Sequence, residues 1–280
     1  SEQLRQSTEE AYPGIQVTSD LNSILSSDCD AVAIATPAHT HFELAAQALD
    51  AGKDVFVEKP ITLSGAGALA LCEKADEKGR VLMVGHLLLY QPAVRAIAEA
   101  LRSGKIGELR SIHQERLNLG RARAVENVLW SLGVHDVAVS LYLCAASASG
   151  KTTRNVSIGQ SCLTKGVEDD FYLHSVLDSG VQTHLHCSWL WPELRRRTTV
   201  IGSTAMLVYD ELAQTVTLHK KSIDESLANV NEGEELMFEG AGEPLKLEME
   251  HFIECCEKRT KPDSDGWSAL EVVKALESAS

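Results

Sequence analysis

With 280 residues, 44% hydrophobic and 24% charged, the chain is long enough for two ordinary folded units and balanced as a folded protein is. A formal net charge of −14 argues against nucleic acid or an anionic membrane surface as partner. No apolar run approaches the ~20 residues of a membrane span, and residues 1–30 carry no signal-peptide pattern.

The opening EQLRQSTEEAYPGI reads as a helix already under way, and the closing GWSALEVVKALESAS stops inside another, so both ends are expected to be cut. Short apolar runs and helical patterns then alternate: DAVAIAT (30–36), a helix over 39–52, KDVFVEK (53–59), a helix over 67–79 and RVLMVG (80–85). Leu44, Ala45, Ala48 and Leu49 keep a helical stripe, and Gly52 and Gly79 stand where a helix ends. Strands without alternation, spaced by such helices, predict a parallel sheet covered on both faces. After a helix over 92–103 the pattern changes. SIHQERLNL, RNVSIGQSCL, DFYLHSVL, VQTHLHCSWLW, RRTTVIGS and AMLVYD predict a mostly antiparallel sheet, interrupted by a helix over 134–145 and followed by helices over 247–258 and 267–278. The fold class is therefore α/β plus α+β: an incomplete doubly wound unit, 1–108, and an open-sheet unit, 109–280. Seven scattered cysteines without C-x-x-C read as reduced thiols in a cytoplasmic protein.

In doubly wound sheets ligands bind outside the carboxyl ends of the strands. Those ends are Thr36-Pro37, Glu58-Lys59-Pro60 and Gly85-His86, and Lys59 is the best single candidate for a working side chain. The stretch GAGALA (65–70) mimics a dinucleotide fingerprint, but it neither follows a strand directly nor leads to a strand ending in an acid. It is predicted to be only a helix start. His135-Asp136 opens the 134–145 helix, close to Arg110, Arg116, Arg121 and Arg123, a basic cluster that suits either an anionic ligand such as a diphosphate or a solvated surface. His184 and His186 share a strand face without a convincing third metal ligand, and no G-x-S-x-G elbow supports a hydrolase.

The run AVAIATPAHTHFELAAQALDAGKDVFVEKPITLS resembles the A-T-P-x-x-x-H … E-K-P core of the glucose–fructose oxidoreductase/inositol dehydrogenase family. VGHLLLYQPAV, SGKIGEL, RLNLGRARAVENVLWSLGVHDVAVSLYL and CSWLWPELRRRTTVIGSTAMLVYDE extend the resemblance over nearly the whole chain and point to its sugar-nucleotide branch. That resemblance implies an NAD- or NADP-dependent dehydrogenase, NAD being favoured, that oxidises C3 of a UDP-N-acetylhexosamine or its uronic acid. Lys59 and His135 would flank the reacting carbon, and Thr36, Pro37, His41, Glu58 and Lys59 would line the nicotinamide half of the cofactor. Lys59, Asn118, Arg121, Arg123, Asn127 and His135 would face the substrate. The open sheet implies a homo-oligomer, a dimer or tetramer. Two departures from the wider pattern stand out: Ser131 replaces an acid four residues before the histidine, and Trp191 and Leu194 replace polar or charged residues. The first strand, G-x-G-x-x-G turn and second strand of the family have no counterpart, so the 280-residue chain is expected to bind NAD⁺ weakly or not at all. Alternatives are a shortened, non-catalytic sugar-nucleotide binder and an oxidoreductase acting on a free polyol or cyclic alcohol.

Overall fold

The first sheet of the computed structural model, which describes residues 2–279, has three parallel strands in the order β1 (Ala31–Ile34), β2 (Asp54–Glu58), β3 (Leu82–Gly85). Helices α1 (Glu2–Ala11) and α2 (Leu21–Leu25) precede it, and α3 (His41–Asp50) and α4 (Gly65–Lys78) form its crossovers. Successive side chains of β2 leave on opposite faces. Val55 and Val57 pack with Leu49, Leu71 and Leu270, whereas Phe56 packs with Met83, Ile97 and Phe252. Burial on both sides, at about 1.5–3 kcal/mol per side chain, explains why this strand reads as an unbroken apolar run. Among the described residues β1 is an edge strand, open on the side away from β2.

The GAGALA stretch is a helix start, as its position predicts. Ser64 caps α4 by accepting from the Gly67 N–H at 3.1 Å, and the Gly65 N–H donates to the Glu277 carboxylate at 3.0 Å. A carboxylate of the chain itself thus occupies the place a phosphate would take. Gly79 ends the helix in the left-handed region at φ +60°.

Helix α5 (Pro92–Arg102) leads to the second sheet, whose eight strands are β4 (Leu109–Leu119), β5 (Thr152–Gln160), β6 (Asp170–Leu177), β7 (Gln182–Ser188), β8 (Leu190–Gly202), β9 (Met206–Asp210), β10 (Thr215–Ile223) and β11 (Asn229–Glu239). Their order is β11-β10-β9-β8-β4-β7-β6-β5, antiparallel except for the β4–β7 pair. Strands β10 and β11 fall outside the sequence assignment. β11 carries four glutamates and an apolar pattern too weak to read alone, and pairing with β10 fixes it.

Helix α6 (Val134–Ala146) covers one face of this sheet, extended at its start by a π-helical turn, Leu129–Gly133. The joined segment Leu129–Ala146 is long and apolar enough to cross a membrane, which the sequence reading did not register; 61% of it is buried inside the molecule. Its hydropathy is that of a core helix lying between two layers. After α7 (Pro244–Lys258), the last helix, α8 (Gly266–Ala279), packs against α4, α6 and β5, so it ties the small sheet to the large one. All seven cysteines are free.

Candidate active site

The E-K-P segment leaves β2 through a cis Lys59–Pro60 peptide bond, and the Glu58 carboxylate accepts from the Lys59 N–H at 3.2 Å. The Lys59 ammonium reaches across to the π-helical turn and donates to the Ser131 carbonyl at 3.2 Å. Where the wider family pattern has an acid, this chain therefore meets the lysine with a backbone oxygen. Burial pulls the Lys59 pKa below that of an ordinary lysine; Glu126 and Glu58 oppose the shift, and Arg123 adds to it.

One turn beyond Ser131, His135 stands half-buried with its Nδ1 lacking any partner. Burial holds its pKa well below 6.5, reinforced by the positive charges of Lys59 and Arg116. It is therefore a neutral imidazole beside a cation. A third group completes the cluster. His86, at the end of β3, is 3% exposed, with neither ring nitrogen bonded, and burial together with Lys59 lowers its pKa to about 4. The structure thus brings Lys59, His135, Glu58 and His86 to one sheet edge, as the strand-end rule requires.

The other expected site residues divide. Thr36 and Pro37 are exposed at the end of β1, and the Thr36 hydroxyl lies 2.6 Å from that of Thr40. His41 is 1% exposed, with Nδ1 2.8 Å from the Pro60 carbonyl and Nε2 2.8 Å from the Thr36 carbonyl. As placed, it offers no polar atom to a ligand; it clamps the ends of β1 and β2 together. Asn127 is similarly engaged: its Oδ1 accepts from the Trp130 N–H at 3.0 Å and its Nδ2 donates to Glu168 at 2.9 Å, capping the π-helical turn. Asn118 is half-buried near the end of β4. Arg121 and Arg123 are exposed on the loop that follows, with Arg123 3.4 Å from Glu126.

The basic cluster does not act as a unit. Arg116 is buried on β4 and bound to Asp136 at 2.5 Å and to Glu211 at 2.9 Å, while Arg196 also holds Glu211 at 2.9 Å. Its guanidinium is spent on internal carboxylates, so the diphosphate expectation does not extend to it. His184 and His186 do share a face. However, His184 stacks on His113 and meets His174, while His186 stacks on Tyr172 and faces Trp191 and Asp170. Among the described residues no His, Cys, Asp and Glu group is arranged to hold a metal.

Two groups carry no role in the sequence reading. His86 was visible only as a strand-end residue. Glu248 on α7 is 1% exposed, its Oε1 is unpartnered, and burial with the nearby Glu58 charge raises its pKa to about 8. In sequence it is one acid among several on an amphipathic helix, and nothing local marks it.

A three-stranded parallel edge thus bears the lysine and the histidine, and an open eight-stranded sheet backs it. A model of the oxidoreductase family with an NAD-binding Rossmann fold matches residues 1–86, and the GFO/IDH/MocA C-terminal domain model matches 94–208. The chain belongs to the GFO/IDH/MocA family of NAD(P)-dependent oxidoreductases. It is 27% identical to UDP-N-acetylglucosamine 3-dehydrogenase of Acidithiobacillus ferrooxidans, over 90% of this chain and 78% of that protein. It is 29% identical to scyllo-inositol 2-dehydrogenase (NAD(+)) of Bacillus subtilis, over 87% of this chain and 73% of that protein. A solved structure of the Acidithiobacillus enzyme shares the fold with a TM-score of 0.83 at 24% identity, covering 99% of this chain and 86% of that one.

Proposed function

We propose that the protein oxidises a secondary hydroxyl of a sugar, most specifically C3 of a UDP-N-acetylhexosamine or its uronic acid, with NAD favoured over NADP. The observation that carries this is the Lys59–His135 pair on the ligand edge, a cation beside a neutral imidazole with an open nitrogen. Bound at the Thr36, Pro37 and Glu58 edge, a nicotinamide supplies hydride acceptance. The chain's own residues handle the proton. Where Lys59 is the cation that stabilises negative charge developing on the alcohol oxygen, the hydroxyl proton passes to the neutral His135 imidazole; Lys59 takes it only as the neutral amine. Glu58 holds the backbone N–H of Lys59 and so fixes the start of its side chain. We assign residues 1–108 to the cofactor side and 109–280 to substrate binding and self-association. Ile158 and Val156, exposed on the open sheet, support a homo-oligomer. The seven free cysteines support a cytoplasmic location.

A second reading, a non-catalytic sugar-nucleotide binder, is favoured by one observation. Among the described residues no glycine-rich strand-to-helix turn presents free amides to a pyrophosphate, and the α4 amides are taken. NADH formation with UDP-N-acetylglucosamine, its uronic acid or a free polyol, beside titration of NAD⁺ and of each substrate, separates the readings. Reduction with a sugar nucleotide is the expected result for a protein that also carries the family's first strand and G-x-G-x-x-G turn; the 280-residue chain alone is expected to bind NAD⁺ weakly or not at all. Reduction with the polyol alone overturns the substrate assignment, and sugar-nucleotide binding without NAD⁺ binding by that longer protein favours the second reading.

A further inference from the structure

A cleft of about 860 Å³ runs along α6 between the 87–90 turn, the start of β5 and α8. That volume suits a metabolite-sized molecule. Its inner end is His86, almost wholly buried, with both ring nitrogens unpartnered. Buried polar atoms without hydrogen bonds each cost about 1–3 kcal/mol and call for an explanation. With its pKa at about 4 the ring is neutral and presents one donor and one acceptor. Farther out, Asn155 Nδ2 donates to the Ser278 hydroxyl at 2.6 Å and leaves a buried Oδ1 unpartnered. Turning the amide over leaves the nitrogen unpartnered instead. Leu141 and Val272 supply an apolar wall between these ends.

The charges around the cleft are unbalanced in favour of the bases. Each lining acid is already matched: Asp263 by Arg95 at 2.9 Å, Asp265 by Lys261 at 2.9 Å and Glu271 by Lys274 at 2.8 Å. The side chains of Lys151 and Arg154, at the β5 rim, form no ion pair among the described residues, although the chain as a whole carries a charge of −14; the Asp178 carboxylate beside them accepts from the Lys151 backbone N–H at 3.2 Å. Neither base belongs to the Lys59–His135 cluster, with which the cleft shares only His86.

We propose that this cleft is a second binding site, for a small organic anion. Its carboxylate or phosphate would lie between Lys151 and Arg154, its apolar body along Leu141 and Val272, and its polar far end against His86. Two probes differing only in the anionic group test this on the full chain: 4-hydroxybenzoate and 4-hydroxyphenyl phosphate. Ligand-observed NMR gives the affinity, and the ¹⁵N resonances of the His86 ring report contact. The expected result is saturable binding of at least one probe with a shift of the His86 signals. Affinity should fall about tenfold in the K151A/R154A double variant, as loss of charge-assisted hydrogen bonds predicts, with an unchanged melting temperature. The stronger probe identifies the anionic group. Saturation by neither probe, or binding that is unaffected by the double substitution, overturns the site; a probe that shifts His86 but binds the double variant normally lies in the Lys59–His135 cluster instead. Because binding is read without turnover, the result is independent of the sugar-oxidation reading.

Discussion

His135 and Asp136 are adjacent on the first turn of α6, and their surroundings are opposite. The carboxylate of Asp136 is wholly engaged, with Arg116 on one side and Glu211 and Arg196 completing a buried network. The imidazole of His135 has an open nitrogen and faces Lys59, held by one carbonyl, and His86, held by nothing. Both clusters have buried charge and displaced pKa values, so those features alone do not separate a structural centre from a working one. Unmet hydrogen-bonding capacity does. A matched network stabilises its own geometry; an unmatched one is completed by what binds there.

The largest expected effect comes from the open cluster. Lys59→Ala should lower turnover about 10²–10⁴-fold, the range for loss of a positioned acid–base group, and leave the melting temperature equal or higher. Near-normal turnover would remove Lys59 from the chemistry. In the matched cluster the order reverses. Arg116→Ala leaves the buried Asp136 carboxylate uncompensated and Glu211 with Arg196 alone, and should cost about 3–5 kcal/mol in urea unfolding. An Arg116 variant with unchanged stability and a lost substrate affinity would break the comparison, since it would make Arg116 a ligand-binding residue.

The contrast also explains what the sequence could reveal. The strand ends were legible because β2 and β3 are buried on both faces, and because β1 and β2 close with residues that no buried strand would choose: Thr36-Pro37 and Glu58-Lys59-Pro60. The helix start at 65–70 was legible because it neither follows its strand directly nor leads to a strand ending in an acid; its Ser64 cap appears only in the fold. What stayed hidden depends on partners distant in the chain. Arg116 reads as one of four arginines until Glu211, on a turn 95 residues later, claims it. His41 reads as a site residue because it follows A-T-P, yet its two nitrogens are taken by carbonyls brought in by folding. β10 and β11 depend on each other's pairing, and Glu248 depends on the depth at which α7 lies.

Acid should act on the open cluster selectively. His86 and His135 both resist protonation in the folded chain, whereas unfolded histidines titrate near 6.5. Below pH 6.5 the unfolded state therefore binds more protons, and stability falls as pH falls, by up to about 1.4 kcal/mol per pH unit for each histidine. For His86 the fall should level off near its own pKa of about 4. Glu248, its pKa raised to about 8, takes up a proton on folding over the same range and opposes this fall. Urea midpoints between pH 7 and 5 therefore measure the net slope, and His86→Gln should lower it by up to about 1.4 kcal/mol per pH unit. A slope unaffected by His86→Gln would mean that the ring finds a proton-tolerant partner.

The smallest effect decides where Asn127 belongs. As a substrate ligand it would join the open cluster; as placed, it accepts from Trp130 and donates to Glu168 and so sits with the matched one. Asn127→Ala removes the cap from the turn that carries Ser131 and should cost about 1 kcal/mol. Asn127→Asp keeps the acceptor for the Trp130 N–H but sets a second carboxylate against Glu168. It should therefore be no more stable than the alanine variant at neutral pH and should recover as one of the two carboxyls is protonated. If instead both variants raise KM strongly at full stability, Asn127 contacts substrate, and the loop from 120 to 127 closes on the site with its polar groups released from the positions seen here. An unchanged KM with the predicted stability pattern makes Asn127 part of the frame that holds the Ser131 carbonyl to Lys59.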